Sequence, residues 1–259
     1  MKYELTAIAK IGTDFPTKFG VPRQSGLVKG LKGRIVFEPE FRDPEALRGL
    51  EGFSHIWLLW DFSEARKDPS KSPLKGETSF AEGEGRGGSF REGRGGFFRP
   101  TVRPPRLGGN RRMGVWATRS PFRPNNIGLS SVRIVGIHLH TPDGPVIEVE
   151  GADLMDGTPI FDIKPYLPFT DCHPEALGGF AEEQNREQKP LGVSLSEELQ
   201  SAFDAERLEA LRGILSADPR PHYHDDAARV YAMEFAGREV KFRIANDEAQ
   251  AWLAGEDRP

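Results

Sequence analysis

A recurrence of short apolar or alternating runs limits the folds open to this chain more than any other feature. The runs are Leu5–Ile11, Arg34–Phe37, His55–Trp60, Met113–Ala117, Ser131–His138, Val146–Val149 and Ile160–Ile163, each closed off by Gly, Pro, Asn or Asp. Runs of this length, with period-two alternation and turn residues at both ends, form strands. Little helical periodicity lies between them, which disfavours alternating βαβ units and predicts a mainly β fold, an antiparallel barrel or sandwich. Within this part only Asp43–Leu50 reads as a helix, with Pro44 suited to its first turn. The 29 Gly and 21 Pro among 259 residues also argue against an all-α chain.

Beyond about Gly178 the pattern changes. A Gln/Glu-rich linker leads to Ser194, whose hydroxyl can form a capping box with Glu197. Leu199, Phe203, Leu208, Leu211 and Leu215 then supply an apolar helical face. After Pro219–Pro221, alternation of Tyr231, Met233 and Phe235 with Val240, Phe242 and Ile244 about Ala236-Gly237-Arg238 predicts a hairpin. The expected organisation is a β-barrel domain over residues 1–180 and a small α+β domain over 190–259.

Charge is unevenly spread. The chain carries a net −4, yet Arg86 to Arg133 holds eleven arginines, no lysine and a single acid, Glu92. A segment of that sign can build a phosphate-binding face on an otherwise acidic protein. Residues 66–98 are rich in Lys, Ser, Pro, Glu and Gly-Arg-Gly units with almost no aliphatic residue, the composition of a flexible insertion. Either an RGG-like arm on RNA backbone or a solvated insertion without a role fits them.

Several chemistries are disfavoured. The one cysteine, Cys172, allows no internal disulfide and no cysteine-based zinc site, and no metal is expected. Met1–Lys10 lacks a basic leader with an apolar run, and no stretch reaches the length of a membrane span, so a cytoplasmic protein without membrane contact is expected. Gly83–Gly88 matches G-x-G-x-x-G, but no strand delivers it to a helix. No G-x-S-x-G elbow, H-E-x-x-H or P-loop is present. His138 and His140 fall on one face of a strand, and two histidines alone are more often surface residues than ligands.

Three polar clusters remain. Phe19–Leu27 reads FGVPRQSGL, a proline-fixed bend presenting a cation and an amide; a nucleotide-sized ligand or a plain surface loop accounts for it. Ala117–Leu129 reads ATRSPFRPNNIGL, with two prolines to stiffen it and two asparagines able to read an adenine edge. Asp153–Pro168 reads DLMDGTPIFDIKPYLP; Asp156-Gly157 suits a hairpin turn, and strand geometry puts Asp162 and Lys164 on one face.

Together these clusters resemble the signature of the TrmO (YaeB) family, F-x-V-P-R-Q-x-G-L, A-T-R-S-x-F-R-P-N-x-I-G and D-L-x-D-G-T-P-x-x-D-I-K-P-Y-L-P. LEGFSHIW at Leu50–Trp57, TVRPPRLGG at Thr101–Gly109 and DPRPHY at Asp218–Tyr223 extend the resemblance over nearly the whole chain except residues 66–98. The resemblance implies a β-barrel methyltransferase dependent on S-adenosylmethionine, working as a homodimer with cofactor near the subunit interface. The reaction it implies is N6-methylation of N6-threonylcarbamoyladenosine at tRNA position 37. Carried over motif by motif, the cofactor residues are Pro22, Arg23, Gln24, Arg119, Leu129, Asp156, Gly157, Thr158 and Pro159. Ser63 and Glu64 stand where the family commonly has His-Gln, a departure at two further cofactor positions.

Methyl transfer chiefly requires an in-line arrangement with water excluded. The substrate nitrogen is conjugated with a carbonyl and needs a proton acceptor, for which Asp162 is the candidate, with Lys164 and Tyr166 as orienting groups. Arg99, Arg103, Arg106, Arg111, Arg112 and Arg123 read as the tRNA-facing surface. Arg220 and Tyr223 read as added grip on the anticodon arm, or as part of a packing module. Two other functions compete: a non-catalytic RNA-binding barrel that binds S-adenosylmethionine, and a methyltransferase of the same class with another substrate.

Overall fold

The computed structural model of the chain describes residues 3–63, 100–104, 111–182, 189–220 and 226–255. The insertion at 66–98, Glu64, Arg99, Arg106 and Tyr223 lie outside the described residues.

Six strands close into a barrel: β1 (Ala9–Thr13), β2 (Lys32–Phe37), β3 (His55–Asp61), β6 (Ile127–Thr141), β7 (Gly144–Glu150) and β8 (Thr158–Pro165). The order around the ring is β1-β2-β7-β6-β3-β8, and β8 pairs back onto β1. Every pairing is antiparallel. A ring without edges leaves no unpaired row of backbone groups. Its interior is aliphatic, with Ile11, Ile35, Ile56, Leu58, Ile147 and Ile160 all fully buried. The register of β3 with β8 slips between Leu59 and Trp60, the mark of a bulge, at the end of the barrel where the loops described below converge.

Some local expectations give way to tertiary context. Of Met113–Ala117 only Met113–Gly114 is strand (β5), paired with Thr101–Val102 (β4); Val115–Ala117 forms a 3-10 turn. Asp43–Leu50 holds 3-10 turns at Pro44–Leu47 and Leu50–Gly52 rather than an α-helix, because Gly49, in the left-handed region with φ of 87°, interrupts it. Asp43 caps the first of them by accepting from Glu45 N at 3.0 Å.

After a short helix, α1 (Pro168–Asp171), the rest of the described chain builds a four-stranded sheet in the order β10-β11-β12-β9. These are β9 (Gly192–Leu195), β10 (Tyr231–Phe235), β11 (Arg238–Ala245) and β12 (Glu248–Leu253), with β9 parallel to β12. The predicted hairpin is β10–β11, in the register Tyr231↔Phe242 and Met233↔Val240. The helix begins two residues later than the Ser194 reading: Ser194 lies in β9, and Ser196 caps α2 (Glu197–Ala202) by accepting from Leu199 N at 3.1 Å. Asp204 then caps a separate helix, α3 (Ala205–Ser216). The single apolar face is therefore divided between two helices.

The buried side chains form two cores. One fills the barrel. The other lies between the four-stranded sheet and α2 and α3, and Phe15, Val28 and Leu31, from the loop joining β1 to β2, are members of it. Among the described residues no helix is long and apolar enough to cross a membrane.

Candidate cofactor and substrate site

Three loops converge at the bulged end of the barrel. The β1–β2 loop, residues 14–31, turns at Gly20, Gly26 and Gly30, all with positive φ. Asp156 fixes its start: Thr13 N donates to Asp156 Oδ1 at 3.0 Å and Asp156 N to Phe15 O at 2.8 Å. The segment 115–126 is locked by Arg123, whose Nη2 donates to Val115 O at 3.0 Å and also to Thr118 O. The Arg123 guanidinium lies 5.2 Å from the centre of the Trp116 ring. The third segment, 153–158, turns at Gly157 and is closed by Thr158 Oγ1 donating to Met155 O at 2.8 Å.

Between them is a cavity of about 690 Å³, within the range of small-molecule sites. Lys18, Pro22, Arg23 and Gln24 line it from the first loop, and Trp116, Arg119, Arg123, Asn125 and Asn126 from the second. Trp60, Asp61, Phe62, Ser63, Gly128, Leu129, Asp153, Met155 and Thr158 are among its other lining residues. The floor is built by close approach: a Cβ on Gly128 would stand 2.2 Å from Trp60 Cε2, so only glycine lets β6 lie flat against the indole. Phe62 packs on the same indole with ring centres 4.1 Å apart.

A hydrogen-bond chain runs through this floor. Trp60 Nε1 donates to Ser130 Oγ at 3.0 Å, and Ser130 Oγ donates to Asp153 Oδ1 at 2.6 Å. Burial pushes the Asp153 carboxyl above its ordinary pKa, partly offset by the Ser130 hydrogen bond and the nearby Arg119 charge. Arg119 Nη1 also donates to Gln24 Oε1, tying the first two clusters together. Burial lowers the Lys18 pKa. Asn126, at φ 49°, donates through Nδ2 to Pro121 O, while its buried Oδ1 has no hydrogen-bond partner among the described residues. That oxygen is an acceptor left for a ligand N–H.

Of the residues read as cofactor-binding, Pro22, Arg23, Gln24, Ser63, Arg119, Leu129 and Thr158 line the cavity. Asp156, Gly157 and Pro159 do not line it; they brace the β1–β8 junction, with Gly157 N donating to Ile11 O at 2.8 Å. Asp162, Lys164 and Tyr166 are also off the lining. Asp162 and Lys164 pair at 3.0 Å, on one face as the alternation predicted. Across the sheet Asp162 lies opposite Leu59, and Leu59 opposite Leu129. Tyr166 packs beside Trp57, ring centres 5.6 Å apart.

The arginines read as RNA-facing divide. Arg103, Arg111 and Arg112 are exposed, Arg112 donating to Thr101 Oγ1 at 3.1 Å. Arg123 and Arg220 are instead engaged within the protein. The sequence reading missed Lys18, Trp60, Phe62, Trp116 and Asp153 as lining residues. Trp60 reads as an ordinary core position within an apolar run, and only the fold turns it toward a cavity. Asp153 opens the third cluster, where the Asp-Gly turn drew attention to the later carboxylate.

The family model of the tRNA-methyltransferase O N-terminal domain matches residues 10–87 and 88–172, and that of the TrmO C-terminal domain matches 188–252. The chain belongs to the TrmO family. The break in the first match, between 87 and 88, falls inside the Gly/Arg-rich insertion. The chain is 35% identical over 250 residues, 94% of each protein, to the tRNA (adenine(37)-N6)-methyltransferase of Escherichia coli K12. It is 36% identical to a putative S-adenosylmethionine-dependent methyltransferase, RcsF, of Pseudomonas aeruginosa, over 86% of this chain and 84% of that one. A crystal structure of TrmO from Pseudomonas aeruginosa superimposes with a TM-score of 0.69 at 27% identity, covering 98% of both chains.

Proposed function

We propose that this TrmO-family methyltransferase transfers a methyl group from S-adenosylmethionine to the N6 nitrogen of N6-threonylcarbamoyladenosine at tRNA position 37, beside the anticodon. The observation that carries the reading is the cavity itself, which gathers residues of the Pro22-Arg23-Gln24 and Arg119–Leu129 clusters around an aromatic floor. When bound, the cofactor supplies an electrophilic methyl group on a positively charged sulfur.

The residues present fit such a group. Asn126 Oδ1 offers an acceptor for an adenine amino group, and Trp60, Phe62 and Leu129 offer apolar surface for a ring. Lys18 and Arg23 suit the carboxylate of the amino-acid end, and Asp153 suits its ammonium. Trp116, 65% exposed and backed by Arg123, presents an aromatic face at the mouth on which an unstacked base can lie.

Proton removal from N6 is assigned to Asp162, with Lys164 and Tyr166 orienting the carbamoyl and threonyl groups. Asp162 is two strand spacings, roughly 10 Å, from Leu129 at the cavity wall, so the base must stand over the outer row Leu129–Leu59–Asp162. Exposed Arg103, Arg111 and Arg112 hold phosphates. A homodimer with the cofactor near its interface, and a cytoplasmic location, complete the proposal.

The test is methyl transfer from labelled S-adenosylmethionine to total tRNA from cells with and without the threonylcarbamoyl modification, followed by nucleoside mass analysis. Label confined to the modified tRNA as methylated threonylcarbamoyladenosine is expected. Label on unmodified tRNA assigns another substrate. Cofactor binding with no label on either tRNA leaves a non-catalytic binding protein.

A further inference from the structure

The loop that brings Lys18, Pro22, Arg23 and Gln24 to the cavity begins and ends on barrel strands, yet its buried apolar side chains belong to the other core. Phe15, Val28 and Leu31 are 1%, 3% and 4% exposed there, and the Phe15 ring stands 5.5 Å from that of Phe235. The backbone lies directly on β10: a Cβ on Gly20 would come within 2.8 Å of Met233 Sδ. Asp14 O accepts from Ala236 N at 2.9 Å, and the Asp14 carboxylate pairs with Arg207 of α3 at 3.1 Å.

The cavity end of the loop is held as well. Arg23 Nη2 donates to the carbonyl of Arg220 at 3.2 Å. That carbonyl is fixed by its own residue: Asp218 accepts from Arg220 N at 3.1 Å, from Nε at 2.9 Å and, through its other oxygen, from Nη2 at 2.9 Å. The Arg220 side chain is 16% accessible and its charge faces a carboxylate, which makes it a poor phosphate ligand. Asp218, in the left-handed region at φ 49°, ends the turn that follows α3.

We propose that the C-terminal unit is part of the cofactor site, and that Asp218 and Arg220 are positioning residues that hold Arg23, and with it the Pro22–Gln24 turn, at the cavity. The proposal rests on reading the cavity as the S-adenosylmethionine site. It makes cofactor binding depend on the C-terminal unit before any RNA is present. A grip on tRNA by Arg220 makes the opposite demand, that RNA binding suffers and cofactor binding does not.

The experiment measures S-adenosylmethionine affinity of the full chain by calorimetry without RNA, well below the melting temperature of each variant. Asp218→Ala is expected to bind about tenfold more weakly, corresponding to about 1.4 kcal/mol. KM for the cofactor rises, kcat at saturation is kept and tRNA affinity is unchanged. Asp218→Asn keeps one acceptor oxygen and falls between. The double variant Arg23→Ala/Asp218→Ala binds no worse than Arg23→Ala alone, because the second residue acts through the first. If Asp218→Ala fails to fold, Arg220→Ala, which keeps the carbonyl, is expected to show the same split in milder form. Unchanged cofactor affinity with weakened tRNA binding overturns the proposal and returns Arg220 to the RNA surface. No cofactor binding by the unsubstituted chain overturns the reading of the cavity itself.

Discussion

The two cores are built on different principles. The barrel closes its own edges, and its interior is filled by side chains of its own strands together with Ala152, Leu154 and the Leu47 turn. The C-terminal sheet is open, with β10 and β9 at its edges, and its core takes in Phe15, Val28 and Leu31 from the barrel's β1–β2 loop. A closed ring can hold its shape without help, whereas an open sheet needs covering. The loop used for covering is the one that also lines the cavity proposed for the cofactor. Stability of the less self-sufficient unit and the wall of that cavity are therefore carried by the same loop.

The largest effect that can break this comparison comes from Phe15→Ala. The ring is buried against Phe235, and loss of a core phenylalanine costs about 3–5 kcal/mol. Hydrogen exchange is expected to accelerate in β10, β11 and α3 while the barrel strands stay protected, and cofactor affinity is expected to fall in step. Equal acceleration in the barrel strands means that the chain unfolds as one unit and that the distinction between the cores has no energetic content.

Gly128→Ala probes the other side. The added methyl has nowhere to go, since Trp60 ring atoms already stand 2.2–2.6 Å from it. Overpacking of this kind costs about 1–3 kcal/mol. Here the destabilisation belongs to the barrel, near the β3–β6 pairing, and cofactor binding is lost because the floor is displaced. A loss of affinity without any change in β3 and β6 exchange is the outcome that sinks this account of the floor.

What the sequence made legible follows the same division. Barrel strands carry apolar or alternating runs because their inner face is buried, and Arg34–Phe37, His55–Trp60 and Val146–Val149 lie within β2, β3 and β7. Covering of the second sheet is non-local: nothing in the spacing of Phe15, Val28 and Leu31 says that they pack some two hundred residues away on Phe235 and Leu211. The same holds for Arg220, which reads as a free cation in sequence and is claimed by Asp218 two residues earlier. The three polar clusters were visible as unusual chemistry at loops, and two of them supply most of the polar cavity wall. Trp60 and Asp153 were not visible as site residues, because a core tryptophan and a turn aspartate carry no signal until β6 and β3 are paired.

A smaller effect, with the opposite sign, is expected at Asp153. Burial raises its pKa in the folded chain above the ordinary unfolded value of about 3.9. Between those two values the native state holds more protons than the unfolded state, so stability falls as pH rises through the window and stays lowered above it. Asp153→Asn removes that penalty. The variant is expected to gain stability over the parent on going from pH 3.5 to pH 7 in denaturant titrations, while binding S-adenosylmethionine more weakly. A stability difference independent of pH shows that the carboxylate is not penalised by burial.

The smallest effect separates two serines, one within β9 and one just past it. Ser196 accepts from Leu199 N and caps α2, whereas Ser194, which the sequence pattern favours as the cap, is an exposed strand residue. Removing a serine cap costs about 1 kcal/mol. Ser196→Ala is therefore expected to lower the denaturation midpoint of the C-terminal unit by that amount, and Ser194→Ala to leave it unchanged. Neither side chain touches the β1–β2 loop through a hydrogen bond among the described residues, so cofactor affinity is expected to hold in both. Since α2 covers the same sheet as the loop, a fall in cofactor affinity with Ser196→Ala extends the coupling seen for Phe15 to the whole cover of the second core. Unchanged affinity confines it to the loop and to the Asp218–Arg220 turn that holds it.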